Sequence, residues 1–91
     1  MRTFSRTTQF KKDVKLASKR GQDLAKLKAI LDLLMVGDPL PVVYKDHPLR
    51  GEFAGSRDCH ISPDWILIYT LKDNGAHVCF ERTGTHSDLF R

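Results

Sequence analysis

Hydrophobic positions change their period once along this chain. From Thr8 to Val36 they recur at helical intervals, and from Arg57 onward they alternate or cluster as strands do. Phe10, Val14 and Ala17 fall four and three apart and form a modest apolar stripe. Thr7 or Thr8 can cap the start of that helix, which runs to about Arg20. Gly21 supplies a stop, because glycine tolerates the left-handed conformation that ends helices. A second helix is predicted from about Asp23 to Val36. Leu24, Leu27, Leu31 and Leu34 repeat there, Ile30 and Leu33 widen the stripe, and Gly37-Asp38-Pro39 ends it. The short joint between the two predicts an antiparallel helix hairpin, with the leucine stripe covering one face of a sheet.

The remainder reads as loop and strands. Pro39 to Leu49 holds Pro39, Pro41 and Pro48 and is predicted as an extended loop. Arg50–Phe53 and Arg57–Ile61 are expected as short strands around Gly55-Ser56. Trp65 to Leu71 is apolar on both alternating faces, which marks a central strand buried on both sides. Lys72-Asp73-Asn74-Gly75 is expected as a hairpin turn, and Ala76–Arg82 as the strand that pairs back. Thr3–Arg6 is a candidate opening strand. The tail from Thr83 to Arg91 is polar, with Leu89 and Phe90 as late anchors. Together these elements predict one α+β domain over residues 1–91, its helix hairpin packed on one face of a small antiparallel sheet. Two helices cannot cover both faces, so the other face should be partly open.

Composition narrows the possible surroundings. No apolar run approaches the length of a membrane span, and the first residues lack the apolar centre of a secretory signal. Cys59 and Cys79 are too few for a disulfide scaffold, so a cytoplasmic, membrane-free setting is expected. The net charge of +4 is unevenly spread: residues 1–36 carry nine Lys/Arg against three Asp, whereas residues 37–91 carry six against eight acidic residues. A basic half of this kind suits phosphate backbones or an acidic partner, although a solvated helix face has the same composition.

Residues suited to chemistry gather in the second half, where all four histidines lie: His47, His60, His77 and His86. Cys59-His60 with distant His86 matches no common zinc spacing, so neither a metal nor another cofactor is expected. No serine elbow, activated cysteine or glycine-rich phosphate loop is present. What remains is histidine, aspartate and arginine, a set suited to acid–base cleavage of a phosphodiester. That reaction needs a base for the ribose 2′-hydroxyl, an acid for the leaving 5′-oxygen, and a cation for the transition state. Imidazole suits the proton transfers and guanidinium the last role. Taken singly, each histidine also reads as an isolated surface residue.

Four segments resemble the YafQ branch of the RelE/ParE toxin superfamily. They are Val43-Tyr44-Lys45-Asp46-His47-Pro48-Leu49, Arg57-Asp58-Cys59-His60, Pro63-Asp64-Trp65-Ile66-Leu67-Ile68-Tyr69 and Phe80-Glu81-Arg82-Thr83-Gly84-Thr85-His86. The likeness reaches back to Lys12-Asp13-Val14-Lys15-Leu16-Ala17 and forward to Leu89-Phe90. It implies a RelE-like fold and a toxin that cleaves messenger RNA in the ribosomal A site without a cofactor. It also implies silencing by a cognate antitoxin, and contact with operator DNA only through that antitoxin.

Position by position, the resemblance implies a catalytic set of His47, His60, Asp64, Arg82 and His86. Asp64 and His60 would share the general-base duty, His86 would be the general acid, and Arg82 would steady the scissile phosphate. His47 would orient substrate rather than move protons. The division between base and acid stays open, because coupled groups yield no individual assignment. Trp65 and Phe90 would stack on or wall in the bases, with sheet core as the competing reading of Trp65. Lys11, Lys12 and Lys15 would bind phosphates of ribosomal RNA. His77 has no counterpart and is expected as a surface strand residue. The rival function is that of a ParE-like gyrase poison, which shares the fold but has no use for an acid–base set.

Overall fold

In the computed structural model, which describes residues 1–90, a five-stranded sheet carries two helices on one face. Arg91, the last residue of the expected domain, lies outside the described residues. The elements in chain order are β1 (Thr3–Arg6), α1 (Thr8–Lys19), α2 (Leu24–Val36), β2 (His47–Pro48), β3 (Arg57–Ser62), β4 (Trp65–Lys72), β5 (His77–Gly84) and α3 (His86–Leu89). The sheet order is β1-β5-β4-β3-β2. The α+β class is as expected, but the sheet is mixed: β1 runs parallel to β5, pairing Thr3 with His77 through Arg6 with Phe80. The other neighbours are antiparallel.

Both helices begin and end where their capping chemistry directs. The Thr7 hydroxyl accepts from the Phe10 N–H at 2.9 Å, and the Asp23 carboxylate from the Ala25 N–H at 3.0 Å. α2 stops at Gly37, whose φ of 92° only glycine adopts freely. α1 lies over β5 and α2 over β3. Their buried faces, Phe10, Ala17, Leu27, Ile30 and Leu34, meet Trp65, Leu67, Tyr69, Val78 and Phe80 from the sheet. Burying such side chains stabilises by about 1.5–3 kcal/mol each, so this layer dominates the cohesion of the fold.

β4 is buried on both sides from Trp65 to Tyr69, as its unbroken apolar run predicts. Trp65, Leu67 and Tyr69 face the helices. Ile66 and Ile68 face the other way and form a second cluster with Leu89, supported by Leu49 and Phe53. The second sheet face is therefore only partly open, and its cover comes from a loop and the C-terminal turn.

Several local expectations are corrected. Arg50–Phe53 is not a strand: Gly51 takes a φ of 70° and Gly51–Phe53 form a 3₁₀ turn, which breaks the extended run. The strand on this edge is the two-residue β2 instead. The β4–β5 hairpin turn lies where expected, between the paired Lys72 and His77, with Asp73, Asn74 and Gly75 all at positive φ. The polar tail folds into α3, because Thr85 and Asp88 make reciprocal cap bonds: the Thr85 hydroxyl accepts from the Asp88 N–H, and the Asp88 carboxylate from the Thr85 N–H. No helix among the described residues is long and apolar enough to cross a membrane.

Candidate active site

Strand register places the central groups. His47 pairs with Asp58, Asp58 with Ile68, and His60 with Ile66, so all three polar side chains share the face that Ile66 and Ile68 define, away from α1 and α2. His86 joins them as the first residue of α3. The ring centres of His47 and His60 are 6.4 Å apart, those of His60 and His86 5.5 Å, and those of His86 and Phe90 6.3 Å. Phe53 extends the series, edge-on to Phe90 at 5.8 Å. Residues spread from 47 to 90 in sequence thus form one continuous row of rings.

Each imidazole is held differently. His47 is positioned from below, since Asp46 next to it is gripped by the Arg57 guanidinium at 3.2 and 3.3 Å and by the Tyr69 hydroxyl at 2.5 Å. The His47 Nδ1 lies 2.8 Å from the Lys45 carbonyl. A carbonyl only accepts, so Nδ1 carries the proton and Nε2 is left as a lone pair when the ring is neutral. His86 is held by Asp64, whose Oδ1 accepts from the His86 backbone N–H at 3.0 Å and from ring Nδ1 at 2.6 Å. Those bonds, led by the backbone one, hold the Asp64 carboxyl below its ordinary range, so it stays charged and is a weak base. His60, between the two, has no hydrogen-bond partner among the described residues and keeps both ring nitrogens available.

Asp64 is thus partnered with His86 rather than with His60, contrary to the shared base duty expected from the resemblance. Trp65 is also corrected: it is 1% exposed within the helix-side core and has no surface on which a base could stack. Both faces of β4 are apolar in the sequence, so periodicity alone did not decide which residues point to the site. Phe90, by contrast, is 38% exposed at the end of the ring row.

Arg82 lines an open cleft of about 570 Å³ with Arg50, Phe53, Asp88 and Phe90. Its Nε and one terminal nitrogen are committed to Asp13 at 2.8 and 3.3 Å. This pairing raises the arginine pKa still further and leaves part of the guanidinium facing the cleft. Lys11, Lys12 and Lys15 are exposed on α1, on the helix layer of the sheet, and line neither this cleft nor the histidine row. His77 lies on the surface as expected, its ring between the hydroxyls of Thr3 and Ser5 at 2.6 and 2.9 Å.

Two groups went unassigned in the sequence. Arg50 lines the cleft and has no carboxylate partner among the described residues. Asp58 is 3% exposed, with Oδ1 3.0 Å from the His47 Nδ1. That imidazole N–H is already directed at Lys45, so the Asp58 oxygen receives no hydrogen bond among the described residues. Burial pushes the Asp58 carboxyl up, and the neighbouring His47, His60 and His86 oppose the shift. Its position two residues before His60 on a strand was the available signal, because such residues share a face. The thiol of Cys59, between them, points into the core, where burial raises its pKa to about 12 and leaves it inert. No three His, Cys, Asp or Glu side chains among the described residues converge as metal ligands.

Known proteins share this fold. Residues 2–91 match the family model described as a bacterial toxin of type II toxin–antitoxin system, YafQ. The mRNA interferase toxin YafQ of Escherichia coli strain K12 is 58% identical over 83 residues, covering 90% of this chain and 88% of that protein. The crystal structure of YafQ from E. coli BL21(DE3) superposes with a TM-score of 0.93 at 52% identity, over 100% of both chains. The toxin in the E. coli DinJ–YafQ complex gives a TM-score of 0.91 at 53% identity, again over 100% of both chains. The chain belongs to the YafQ family of bacterial type II toxin–antitoxin toxins.

Proposed function

We propose that this chain is an endoribonuclease that cleaves messenger RNA on the ribosome, halting translation, and that a cognate antitoxin neutralises it. The observation that carries this reading is the row His47–His60–His86, with the Asp64 carboxylate on the imidazole at one end. The E. coli relative is named an mRNA interferase, and a relative from the same organism is seen in complex with the antitoxin DinJ, which supports the activity and the kind of partner. A ParE-like gyrase poison is set aside, since the matching family is the YafQ one and gyrase contact leaves the histidine row without a task.

The geometry suggests a division of labour. His60 takes the proton from the ribose 2′-hydroxyl as the 2′-oxygen bonds to phosphorus. The bond from phosphorus to the 5′-oxygen breaks, and His86 delivers its Nε2 proton to that oxygen. Asp64 acts through His86, fixing its tautomer and steadying the imidazolium before transfer. Arg82 and Arg50 offset the charge gathering on the phosphoryl oxygens from the cleft, while Phe90 and Phe53 provide a wall for a base. His47 orients substrate through Nε2. Lys11, Lys12 and Lys15, remote from this row, are left to bind ribosomal RNA phosphates in the cytoplasm.

Primer extension on messages from cells briefly expressing the chain tests the reading. Discrete in-frame cuts that vanish in a His86→Ala control are expected. Growth arrest with intact messages would overturn it.

A further inference from the structure

A second groove opens beside His60, the middle imidazole of the row. An opening of about 480 Å³ along the β3 edge of the sheet is bordered by Lys26 of α2, by Val43, Tyr44 and Lys45 of the turn before β2, and by Ile61, Ser62 and Pro63 at the end of β3. Its inner wall includes His60, so this groove and the histidine row share a catalytic ring. The cleft lined by Arg50, Arg82 and Phe90 lies at the row's Phe90 end. We propose that this groove is a second nucleotide subsite, which holds the RNA nucleotide next to the scissile phosphate beside His60, outside the Phe90 cleft. The inference rests on the RNA-cleaving function proposed above and states how the strand crosses the site.

Three observations support it. First, Lys26 and Lys45 approach the groove from different elements, and neither ammonium has a carboxylate partner among the described residues. Lys28, two residues on and turned to another face of α2, is by contrast satisfied by Asp32 at 2.7 Å. Two unneutralised cations facing one groove, with no acidic residue on its wall, match a phosphate backbone.

Second, the groove is apolar between those charges. Val43 is 74% exposed and its neighbour Val42 is 92% exposed, so the 3₁₀ turn holds two large aliphatic side chains in water. Tyr44 adds a half-buried ring anchored against the core. An apolar wall flanked by cations is the usual construction for a nucleotide that is read as base plus phosphate.

Third, the mounting is fixed. Lys45 has a left-handed φ of 52°, and its carbonyl accepts from the His47 ring. The backbone that carries the groove lysine therefore also sets the tautomer of a site histidine, which ties occupancy of the groove to the geometry of the row.

The test uses uncleavable 2′-O-methyl RNA oligonucleotides spanning one cut site, extended by a single nucleotide on either flank, with binding to the intact chain followed by fluorescence anisotropy. For the wild type, extension on one flank should tighten binding about tenfold, the scale of one stacked base with its phosphate. The Lys26→Ala/Lys45→Ala double variant should lose that gain while binding the shorter oligonucleotide as the wild type does. Its binding should also fall off less steeply with salt, by a slope of about 1.4 for two lost phosphate contacts. A wild type indifferent to either extension overturns the proposal, as does a double variant that keeps the gain. A defect seen only on ribosomes, with oligonucleotide binding unchanged, would assign the lysines to ribosomal RNA and also overturn it. A wild type that binds these RNAs but leaves messages uncut in cells would instead refute the nuclease reading, so the two failures are distinguishable.

Discussion

The Asp64 carboxylate holds His86 twice, through its backbone N–H and through ring Nδ1. The double grip fixes where the imidazole sits and which nitrogen faces substrate. Asp64→Asn keeps an acceptor oxygen but removes the charge that favours the imidazolium. Single-turnover cleavage on programmed ribosomes should fall about a hundredfold, within the usual range for acid–base groups. His86→Ala should lose at least as much. Both side chains are more than half exposed, so melting temperatures should stay within a degree or two of the wild type.

Asp58 should separate stability from activity. It is a buried carboxylate whose pKa is raised, so its charged form disfavours the folded state and the penalty grows as pH rises through the folded value. Asp58→Asn should leave thermal stability at neutral pH unchanged or higher. The row of histidines would lose a nearby negative charge, and cleavage should fall about tenfold or more. Melting curves at pH 3 and 7, beside cleavage rates, check both halves: the variant's stability advantage should be larger at pH 7, since the penalty is absent below the ordinary carboxylate range.

The two aromatic residues should behave oppositely. Trp65→Phe removes volume from the core, and the Nε1 it deletes has no hydrogen-bond partner among the described residues, so packing alone is lost. Destabilisation of about 1–3 kcal/mol is expected from urea titration, with cleavage nearly unchanged below the transition. Phe90→Ala should lower cleavage at least tenfold with a much smaller loss of stability.

α3 should be sensitive to acid. Asp88 is held well below the ordinary carboxylate range, first by the Arg20 guanidinium at 2.6 Å and then by the Thr85 N–H. Its contribution is therefore complete above about pH 4, the unfolded value, and is lost as pH falls through the lowered folded value. Asp88→Ala should cost about 1 kcal/mol at pH 7, the worth of a helix cap, and the gap to the wild type should close progressively as pH drops below 4. Chemical denaturation at several pH values measures this.

Gly84 tests the same anchor sterically. A Cβ placed there would lie 2.9 Å from an Asp88 carboxylate oxygen and 3.0 Å from the Asp88 Cβ, and the latter cannot swing away without moving α3. Gly84→Ala should destabilise by about 1–3 kcal/mol and reduce cleavage by displacing His86, both read from the melting temperature and single-turnover rate.

Local chemistry was legible in the chain; long-range pairing was not. Thr7, Asp23, Gly21 and Gly37 mark helix ends because capping involves neighbours within a few residues. The parallel partnership of β1 with β5 joins residues more than seventy positions apart, and nothing in the four residues of β1 names the partner. The histidines were found by residue type and family resemblance, but their order in the row depends on register and on α3. The Thr85–Asp88 cap was readable from spacing, yet a polar tail conceals so short a helix. The orientation of Trp65 was undecidable from a strand apolar on both faces, and Asp64 found His86 rather than His60 because a turn, not a strand, carries it.

β1 covers β5 only from His77 to Phe80, and past that point the Thr83 N–H is bonded at 3.2 Å by Asp13, which also holds Arg82. The opposite border of the sheet is a two-residue strand containing Pro48, which has no N–H to offer. Another chain therefore finds little open ladder along the β5 border on which to add a strand. The acid that steadies a cleft arginine thus also guards against self-association, so Asp13 substitutions should be scored for aggregation as well as for cleavage.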